Sequence, residues 1–244
     1  MRGQLKSRYG LRSPGQFVEL YNHEHDDKGE FASGGGGLTT AVLDAAAAKY
    51  GPKGTVTAAR KAFAQRVDSQ TVAGTVAKLG VAQEAWRAGL SADQRTAIED
   101  YTGTGSDYIN SILRMGPPEA ASMYVGVRNL DGVVASSPAL TDPVTVFRGA
   151  AFDMNASVGD VITDPGFVST SLNPVRTAGF ALGTQSTLMQ ITVPAGEKAP
   201  YIGGLSSSRS EQEVLLGRDT SFQVTKVTNV DVGHQIVEAT VRQT

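Results

Sequence analysis

The pattern of the chain changes near residue 140, and this change constrains the fold more than any other feature of the sequence. Before it, apolar residues recur at helical spacing, and helical segments end at Gly51-Pro52 and Gly116-Pro117. After it, the chain divides into short segments rich in Val, Ile, Thr and Phe, which Gly, Pro, Asn and Asp separate. Helices followed by strands predict an α+β fold.

The first half of the chain predicts several small helices. Ser91 and Gln94 have the spacing of a capping box at the start of one helix, and Ser106 is placed to cap the next. A turn is predicted at Asp131-Gly132. The predicted helices are LTTAVLDAAAAKY, TAARKAFAQRV, TVAGTVAKL, DQRTAIEDY, DYINSILRM and PEAASMYVGVRNL.

The second half predicts about six strands. They are VTVFRG, FVSTSL, TLMQITV, EVLLG, SFQVTKV and HQIVEATV. We expect these strands to form two packed, mainly antiparallel sheets, a β sandwich, with the helices beside it. Hydrophobic residues make up 40% of the chain, which is enough for a substantial core.

These patterns divide the chain into three regions. Residues 1–37 have poor apolar periodicity and end in a glycine run, so they predict an unstructured tail and a flexible linker. Residues 38–90 predict a small helical segment, which is either a target-binding or packaging module or the helical cover of the domain. Residues 91–244 form the main domain. Within the tail, HDDKGEFASGGGG resembles a short segment that recurs in bacteriophage structural and head-associated proteins.

Composition excludes several classes of function. The chain has no cysteine, which excludes disulfides, thiol catalysis and zinc–thiolate sites. Residues 1–90 carry 12 Lys/Arg and 8 Asp/Glu, and residues 91–244 carry 10 and 16, so no region is basic enough to indicate nucleic-acid binding. No apolar run approaches the ~20 residues of a membrane span, and the first residues lack the apolar region of a signal peptide. His23 and His25 lack a complete set of metal ligands, so we expect them to be solvated.

Two glutamates precede an apolar run in SSSRSEQEVLLGRD, residues 206–219. On a strand, Glu211 and Glu213 face the same side about 7 Å apart, whereas on a helix they diverge by about 200°. The run Val214-Leu215-Leu216 favours a strand that enters a core. Two carboxylates on one face repel each other, so at least one pKa should rise, and Gln212 should point away. From spacing alone, a solvated start of a strand remains the alternative.

Hydroxyl residues follow Asp164-Pro165-Gly166-Phe167 in the segment Val168-Ser169-Thr170-Ser171. Alternation places Ser169 and Ser171 on one strand face with Phe167, where a hydroxyl can hold a carboxylate by hydrogen bonding. The alternative is an ordinary polar strand. A serine hydrolase does not fit, because His234 is the only histidine of the β region and no nucleophile elbow is present.

An arginine ends the apolar segment VTVFRG. Arg148 can pair bidentately with a phosphate, and Gly149 permits close approach of a ligand to the backbone. The alternative is an arginine at the rim of a sheet that pairs with any nearby carboxylate.

The order of these three motifs resembles the arginine–serine–glutamate class of mono-ADP-ribosyltransferases. This class includes clostridial binary actin-modifying toxins, other bacterial effectors and phage enzymes. The resemblance covers about residues 95–244 and rests on Arg148, Ser169-Thr170-Ser171 and Glu211-Gln212-Glu213. The helix from Tyr101 through Asn110 is also similar to the helix beside the NAD site of that family.

The resemblance implies an ADP-ribosyltransferase fold and catalytic domain, with NAD as donor substrate and no metal. Members split the nicotinamide–ribose bond and move ADP-ribose to a protein side chain. Glu213 then matches the glutamate that bonds a ribose hydroxyl, and Ser169 matches the serine that positions it. Glu211 matches the acid that accompanies arginine as the acceptor. Arg148 matches the arginine that binds the NAD phosphates.

The resemblance also implies supporting residues for NAD. Gly149 would contact the nicotinamide amide, and Thr170 and Ser171 would support the strand. The segment Asn173 to Phe180 is similar to the loop that contacts phosphate and nicotinamide, where Arg176 would reach phosphate and Phe180 would stack. The segment Ile202 to Ser210 is similar to the loop that presents the target, and its glycines and serines predict mobility.

The resulting expectation is an NAD-dependent enzyme that modifies arginine on a host or target protein. One alternative is an NAD glycohydrolase, in which water replaces the acceptor. Another is a phage structural or interaction protein with an inactive domain, which the intact motifs disfavour. The expected partners are NAD and the target protein, with neither nucleic acid nor membrane. The expected location is a phage virion or the host cytoplasm after delivery, or the outside of the cell as a secreted effector.

Overall fold

The computed structural model describes residues 55–181 and 185–243. The predicted tail, residues 1–37, and the first predicted helix, residues 38–50, lie outside the described residues. The α-helices are α1 (Thr55–Ala64), α2 (Ser69–Ala82), α3 (Glu84–Gly89), α4 (Ala92–Asp100), α5 (Ser106–Met115), α6 (Pro118–Met123), α7 (Val125–Ser136) and α8 (Pro174–Phe180). Thus helices precede the strands, apart from the short α8, and the predicted α+β class is confirmed.

Seven strands form the β region. They are β1 (Val144–Ala150), β2 (Val161–Asp164), β3 (Val168–Ser171), β4 (Ser186–Val193), β5 (Glu213–Leu216), β6 (Thr220–Asp231) and β7 (His234–Val241). Their order is β2-β6-β7-β4-β1-β3-β5, with β4 and β7 parallel and the other neighbours antiparallel. The six predicted strands are present, and the sequence pattern missed β2, which has only four residues.

The strands form one hydrogen-bonded sheet, whereas the sequence pattern indicated two. The connection is narrow, because β1 and β3 share only the register pair Phe147 and Ser171. On one side of it lies the five-stranded part from β2 to β1, and on the other lies the pair β3–β5. The alternation of residues along a strand shows which side chains share a face, but it does not show whether two groups of strands are joined by one register pair. The sequence therefore could not distinguish one narrowly connected sheet from two separate sheets.

Two helical boundaries differ from the prediction. The single helix expected at PEAASMYVGVRNL is two helices, α6 and α7, because Tyr124 between them is extended. The turn expected at Asp131-Gly132 lies inside α7. There Val127, Leu130 and Val133 are buried at helical spacing, and their packing continues the helix past the glycine.

The junction between α4 and α5 contains a π-helical turn, Tyr101–Gly105. The capping box of Ser91 and Gln94 at the start of α4 is confirmed. Ser106 is not a cap, because the π-helical turn leads directly into α5 and Gly105 occupies the N-cap position without a side-chain bond. A Cβ on Gly105 would lie 2.6 Å from the backbone oxygen of Asp100, so the turn needs glycine there.

The short strands β3 and β5 lie between two hydrophobic cores. One face of this strand pair packs against the first core, which includes Val168, Val214 and Leu216. The other face packs against the second core, which includes Phe167 and Leu215. The second core also contains residues of α4, α5 and α7. The two cores therefore fix both faces of the strand pair that carries the predicted serine and glutamate.

Helix α1 covers the opposite part of the sheet. Phe63 meets Phe147 of β1 edge to face, with 5.6 Å between ring centroids, and both rings are buried. Ala178 of α8 lies in the same cluster. Val72 and Leu79 of α2 pack in the core that contains residues from most of the strands. Helices α1 and α2 therefore both contribute side chains to the hydrophobic cores of the sheet.

Candidate active site

Glu213 is the first residue of β5 and lies directly opposite Ser171 of β3. Its side chain faces the same side of the sheet as Ser169 and Leu215, because residues of one parity share a face. Only 3% of Glu213 is exposed, which is rare for a carboxylate. The structure thus places a buried acid at the predicted catalytic position.

The environment of Glu213 changes its acidity. Burial raises the pKa of Glu213 to about 7, while a hydrogen bond from the Ser169 hydroxyl and the charge of Arg148 act in the opposite direction. A carboxyl with this pKa exchanges its proton near neutral pH. Buried groups with such shifts are typical of functional sites.

The three hydroxyls of the Ser169-Thr170-Ser171 segment all bind groups of the neighbouring strand or its approach. Ser169 donates to the Glu213 carboxylate. Thr170 donates to the carbonyl of Val214 at 2.6 Å, on the opposite face of the sheet. Ser171 donates to the carbonyl of Glu211 at 2.6 Å. The segment therefore holds both the strand of Glu213 and the turn before it.

Glu211 does not lie on the strand, which corrects the sequence prediction. It ends a 3-10 turn, Arg209–Glu211, and the next residue, Gln212, has left-handed backbone angles of φ 51° and ψ 49°. The strand begins only at Glu213. The two glutamates are therefore not an i, i+2 pair on one strand face, and their mutual repulsion is not among the causes of the raised pKa of Glu213.

The side chain of Gln212 is half-buried, and its Oε1 is buried with no hydrogen-bond partner. Its backbone carbonyl accepts from the amide of Leu172 at 3.2 Å. The sequence predicts that Gln212 points away from the two glutamates, and this orientation stays a prediction. The left-handed backbone at Gln212 is what separates Glu211 from the strand.

Arg148 lies near the end of β1 and reaches β3. Its Nη1 donates to the carbonyl of Ser169 at 2.9 Å, and its Nη2 is 3.8 Å from a carboxylate oxygen of Asp164. Only 12% of its side chain is exposed. Gly149 follows it in β1, opposite Leu188 of β4. The predicted phosphate ligand and the predicted catalytic serine are thus in direct contact.

Asp164 is a site residue that the sequence reasoning missed. It forms a bidentate ion pair with Arg114 of α5, at 2.8 and 2.9 Å, and accepts from the amide of Gly166 at 2.9 Å. Burial alone would raise the pKa of Asp164, but the charges of Arg114 and Arg148 hold it below its usual value. Its position before Pro165-Gly166 was the only signal in the sequence, and it indicated a turn.

Tyr101 and Asn110 brace the start of β3. The Asn110 amide donates to the Tyr101 hydroxyl at 3.1 Å, and this hydroxyl donates to the carbonyl of Phe167 at 3.3 Å. Tyr101 is 1% exposed, and burial together with the charge of Glu213 raises its pKa. Both side chains are buried, so little of their surface is available for the predicted contact with NAD. Their hydrogen bonds position Phe167 instead.

The segment after β3 forms the short helix α8, where the resemblance implied a loop. Asn173 caps it by accepting from the amide of Val175 at 3.0 Å, and Arg176 is half-buried within it. The side chain of Phe180 lies outside the described residues. The phosphate contact of Arg176 and the stacking of Phe180 remain predictions.

The segment from Ile202 to Ser210 is bonded to the π-helical turn. Ser207 and Thr102 form hydrogen bonds through both side chains and backbones. The amides of Ile202 and Gly203 donate to the carbonyl of Glu213 at 3.0 and 3.1 Å. The glycines and serines of this segment predicted mobility, whereas the structure gives the segment fixed partners.

Within the residues that the structure describes, no group of three or more His, Cys, Asp or Glu side chains is arranged to hold a metal ion. No helix in the same part of the chain is long and apolar enough to span a membrane.

Comparisons with known proteins indicate the family of the chain. The family model for the ADP-ribosyltransferase exoenzyme matches residues 78–243, more than half of the chain. NAD(+)–arginine ADP-ribosyltransferase EFV of Enterococcus faecalis is 30% identical over 154 residues, which cover 59% of this chain and 31% of that protein. Secreted exoenzyme S of Pseudomonas aeruginosa is 30% identical over 132 residues, which cover 52% and 28%. The chain thus spans less than a third of each curated relative.

The solved structures show the same fold. Plx2a, an ADP-ribosyltransferase toxin from Paenibacillus larvae, superposes with a TM-score of 0.58 at 24% identity, over 70% of this chain and 96% of that chain. The phage-like segment HDDKGEFASGGGG lies outside both the matched residues and the described residues. From the match over residues 78–243 together with the fold, we conclude that this chain belongs to the ADP-ribosyltransferase exoenzyme family.

Proposed function

We propose that this chain transfers ADP-ribose from NAD to arginine side chains of a target protein and releases nicotinamide. The observation that carries the proposal is Glu213, a buried carboxylate whose pKa lies near 7 and which contacts Ser169 close to Arg148. The comparisons support the same reaction class, since the matched protein of Enterococcus faecalis is named for NAD and arginine.

The donor half of the reaction depends on Glu213. The bond between ribose C1′ and the nicotinamide nitrogen breaks, and its electron pair leaves with neutral nicotinamide. The ribose then carries positive charge, which an ionised carboxylate nearby stabilises. Glu213 would accept a hydrogen bond from a ribose hydroxyl, and Ser169 would keep the carboxylate in the required orientation. Gly149 would offer its backbone to the nicotinamide amide.

The NAD diphosphate would bind beside the arginines. Arg114 and Arg148 share one carboxylate, Asp164, so this cluster keeps one excess positive charge. Guanidinium groups bind phosphate oxygens well because they offer several donors in a plane. Arg176 of α8 would add a further contact.

The acceptor half depends on Glu211. The half-exposed Glu211 lies on the turn before β5, where an incoming side chain can reach it. A guanidinium is positively charged at neutral pH, so a carboxylate attracts and orients it. One of its nitrogens would attack C1′, form the new C–N bond and lose one proton, which Glu211 or water accepts. The separation of Glu211 from Glu213 by the turn suits this division of roles.

Two alternative functions differ from the proposed one: an NAD glycohydrolase uses another acceptor, and an inactive structural protein does not cleave NAD. An NAD glycohydrolase would use the same Glu213 with water in place of arginine. An inactive structural protein would not need a buried, hydrogen-bonded glutamate, whose ionisation costs free energy. We therefore favour turnover. The relative named secreted exoenzyme S makes action outside the producing cell the preferred location. Virion association stays a prediction from the segment HDDKGEFASGGGG.

The decisive experiment is incubation of the full chain with NAD labelled in its adenine and with agmatine, a small guanidine. Labelled agmatine supports the proposal, and its absence with continued release of nicotinamide supports the glycohydrolase. The absence of both, in a folded protein, refutes the two enzymatic functions. A parallel incubation with host lysate, followed by mapping of the modified side chain, identifies the target. Glu213→Gln serves as the inactive control.

A further inference from the structure

We propose that Thr102, acting through Ser207, is a positioning residue for the acceptor carboxylate of Glu211. This inference deepens the proposed arginine transfer and rests on it. It assigns to the π-helical turn a role in choosing between arginine and water, a role that is separate from cleavage of NAD. The two residues lie within segments that the sequence singled out, but the sequence assigned neither of them a role.

Thr102 and Ser207 are joined by a reciprocal set of hydrogen bonds. The Ser207 amide donates to the Thr102 hydroxyl at 3.1 Å, and the Ser207 hydroxyl donates to the Thr102 carbonyl at 2.8 Å. The two hydroxyls also lie 3.3 Å apart. Thr102 is buried and Ser207 is exposed, and the hydrogen bonds between them are partly buried. Hydrogen bonds in such partly dry surroundings fix the position of a loop better than exposed ones.

The π-helical turn makes these bonds possible. A π-helix pairs residues one position further apart than an α-helix and often marks a functional site. Here Gly103 leaves helical backbone angles, at φ −88° and ψ −115°, immediately after Thr102. The Thr102 carbonyl accepts from Ser207, while its hydroxyl donates back to the carbonyl of Ile98 at 2.9 Å. The distorted turn thus presents Thr102 to the loop.

The position of Ser207 is transmitted to Glu211 through the backbone. The Ser208 amide donates to the Ser206 hydroxyl at 2.9 Å, and the Glu211 amide donates to the Ser208 carbonyl at 3.0 Å. At its other side, the Glu211 carbonyl accepts from Ser171 at 2.6 Å. Glu211 is therefore held between the loop and β3, and loss of the contact with Thr102 weakens the support from the loop.

The donor half of the site has separate support. Glu213 is held by the ladder with β3, by Ser169 and by the amides of Ile202 and Gly203 at the start of the loop, and Arg148 is held by the carbonyl of Ser169. None of these contacts involves Thr102 or Ser207. Loosening the loop should therefore disturb the acceptor more than the cleavage of NAD.

The test measures how each variant partitions ADP-ribose between agmatine and water, together with KM for NAD. Ser207→Ala and Thr102→Val remove hydroxyls of the contact, and Thr102→Ser restores one. Thr75→Val is the matched control for Thr102→Val, because Thr75 of α2 makes the same bond to a carbonyl one helical turn back, and this bond is exposed. Ser122→Ala, exposed on α6, is the control for Ser207→Ala.

The expected result is a fall of about tenfold in the ratio of transfer to hydrolysis for Ser207→Ala and Thr102→Val, which is the scale of one or two lost hydrogen bonds. KM for NAD stays near the wild-type value, and Thr102→Ser recovers most of the ratio. The two control variants keep the wild-type ratio. A role confined to folding would lower the melting temperature without changing this ratio.

Two results overturn the inference. The first is an unchanged ratio in folded Ser207→Ala, which decides the question even if Thr102→Val fails to fold. The second is an equal loss of transfer and hydrolysis in folded Ser207→Ala, because the donor half would then depend on the same contact. A wild-type chain that releases nicotinamide without labelling agmatine refutes the proposed arginine transfer itself, which is a different outcome.

Discussion

The Ser169 hydroxyl donates a hydrogen bond to the carboxylate of Glu213 across the ladder of β3 and β5. This bond and the charge of Arg148 favour the ionised acid, while burial favours the protonated acid and dominates. The balance leaves the Glu213 pKa at about 7. Burial therefore sets the acidity of the site, and two neighbours on strands that the fold holds in place moderate it.

The first prediction concerns pH. Because only ionised Glu213 can stabilise the charged ribose, kcat/KM for NAD should rise with pH and level off above an apparent pKa near 7. Ser169→Ala removes a bond that favours ionisation, so its apparent pKa should be higher than that of the wild type. The measurement is nicotinamide release between pH 5 and 9 at low NAD. A profile that is flat across this range would show that another group controls the rate.

The second prediction concerns Glu213→Gln. Transfer and hydrolysis should both disappear, since neither can proceed without the carboxylate, while the fold is kept. The folded pKa of about 7 exceeds the usual 4.5, so the native state holds a proton that the unfolded state releases. Wild-type stability should thus fall as pH rises from about 4.5 to 7, by on the order of 3 kcal/mol.

Glutamine cannot ionise, so Glu213→Gln should lack that component of the pH dependence. Thermal unfolding of both chains at pH 5 and pH 8 provides the measurement. From pH 5 to pH 8, the melting temperature of the wild type should fall by more than that of the variant. An equal loss of melting temperature in the two chains would mean that folding does not raise the pKa of Glu213.

The third prediction separates the two glutamates. Glu211→Gln keeps the size of the side chain but removes the charge that attracts a guanidinium, so agmatine labelling should fall by at least about tenfold. Part of the NAD hydrolysis should remain, because Glu213 and Ser169 are untouched. Both activities are followed in one reaction with labelled NAD. An equal fall in the two would assign Glu211 to the donor half instead.

The sequence predicted the class of fold and the strands that carry Arg148, Ser169 and Glu213. The apolar flanks of Arg148, Ser169 and Glu213 placed each residue on a strand, and each lies on the predicted strand segment. Alternation also placed Ser169 and Ser171 on one face, away from Thr170, as the contacts of the three hydroxyls show. These features depend on local periodicity, which a single sequence records.

The features that the sequence missed depend on contacts between distant residues. The left-handed Gln212 shifts the start of β5 to Glu213, and nothing in SEQE indicates this because glutamine has no preference for such a backbone. The pairing of Asp164 with Arg114 joins residues 50 positions apart. The π-helical turn also went unseen, because Ser207, which it contacts, lies 105 positions later in the chain.

The last prediction concerns Asp164, the buried carboxylate between two arginines. Asp164→Asn keeps its shape but leaves Arg114 and Arg148 without their shared counter-charge, which should destabilise the fold by about 3 kcal/mol at pH 7. KM for NAD should rise as well, because Arg148 loses a contact that fixes its guanidinium. The matched control is Asp142→Asn, which removes the exposed pair with Lys78 and should change little.

The pH dependence of the stability difference between the wild type and Asp164→Asn provides a further check. The folded pKa of Asp164 lies below the usual 3.8, so its contribution is present above that value and disappears as pH falls through the folded pKa. The gap in unfolding free energy between the wild type and Asp164→Asn should therefore be largest near neutral pH and shrink in acid. Chemical denaturation at pH 7 and at about pH 3 measures it. A gap that stays constant would mean that the ion pair with Arg114 does not stabilise the folded chain.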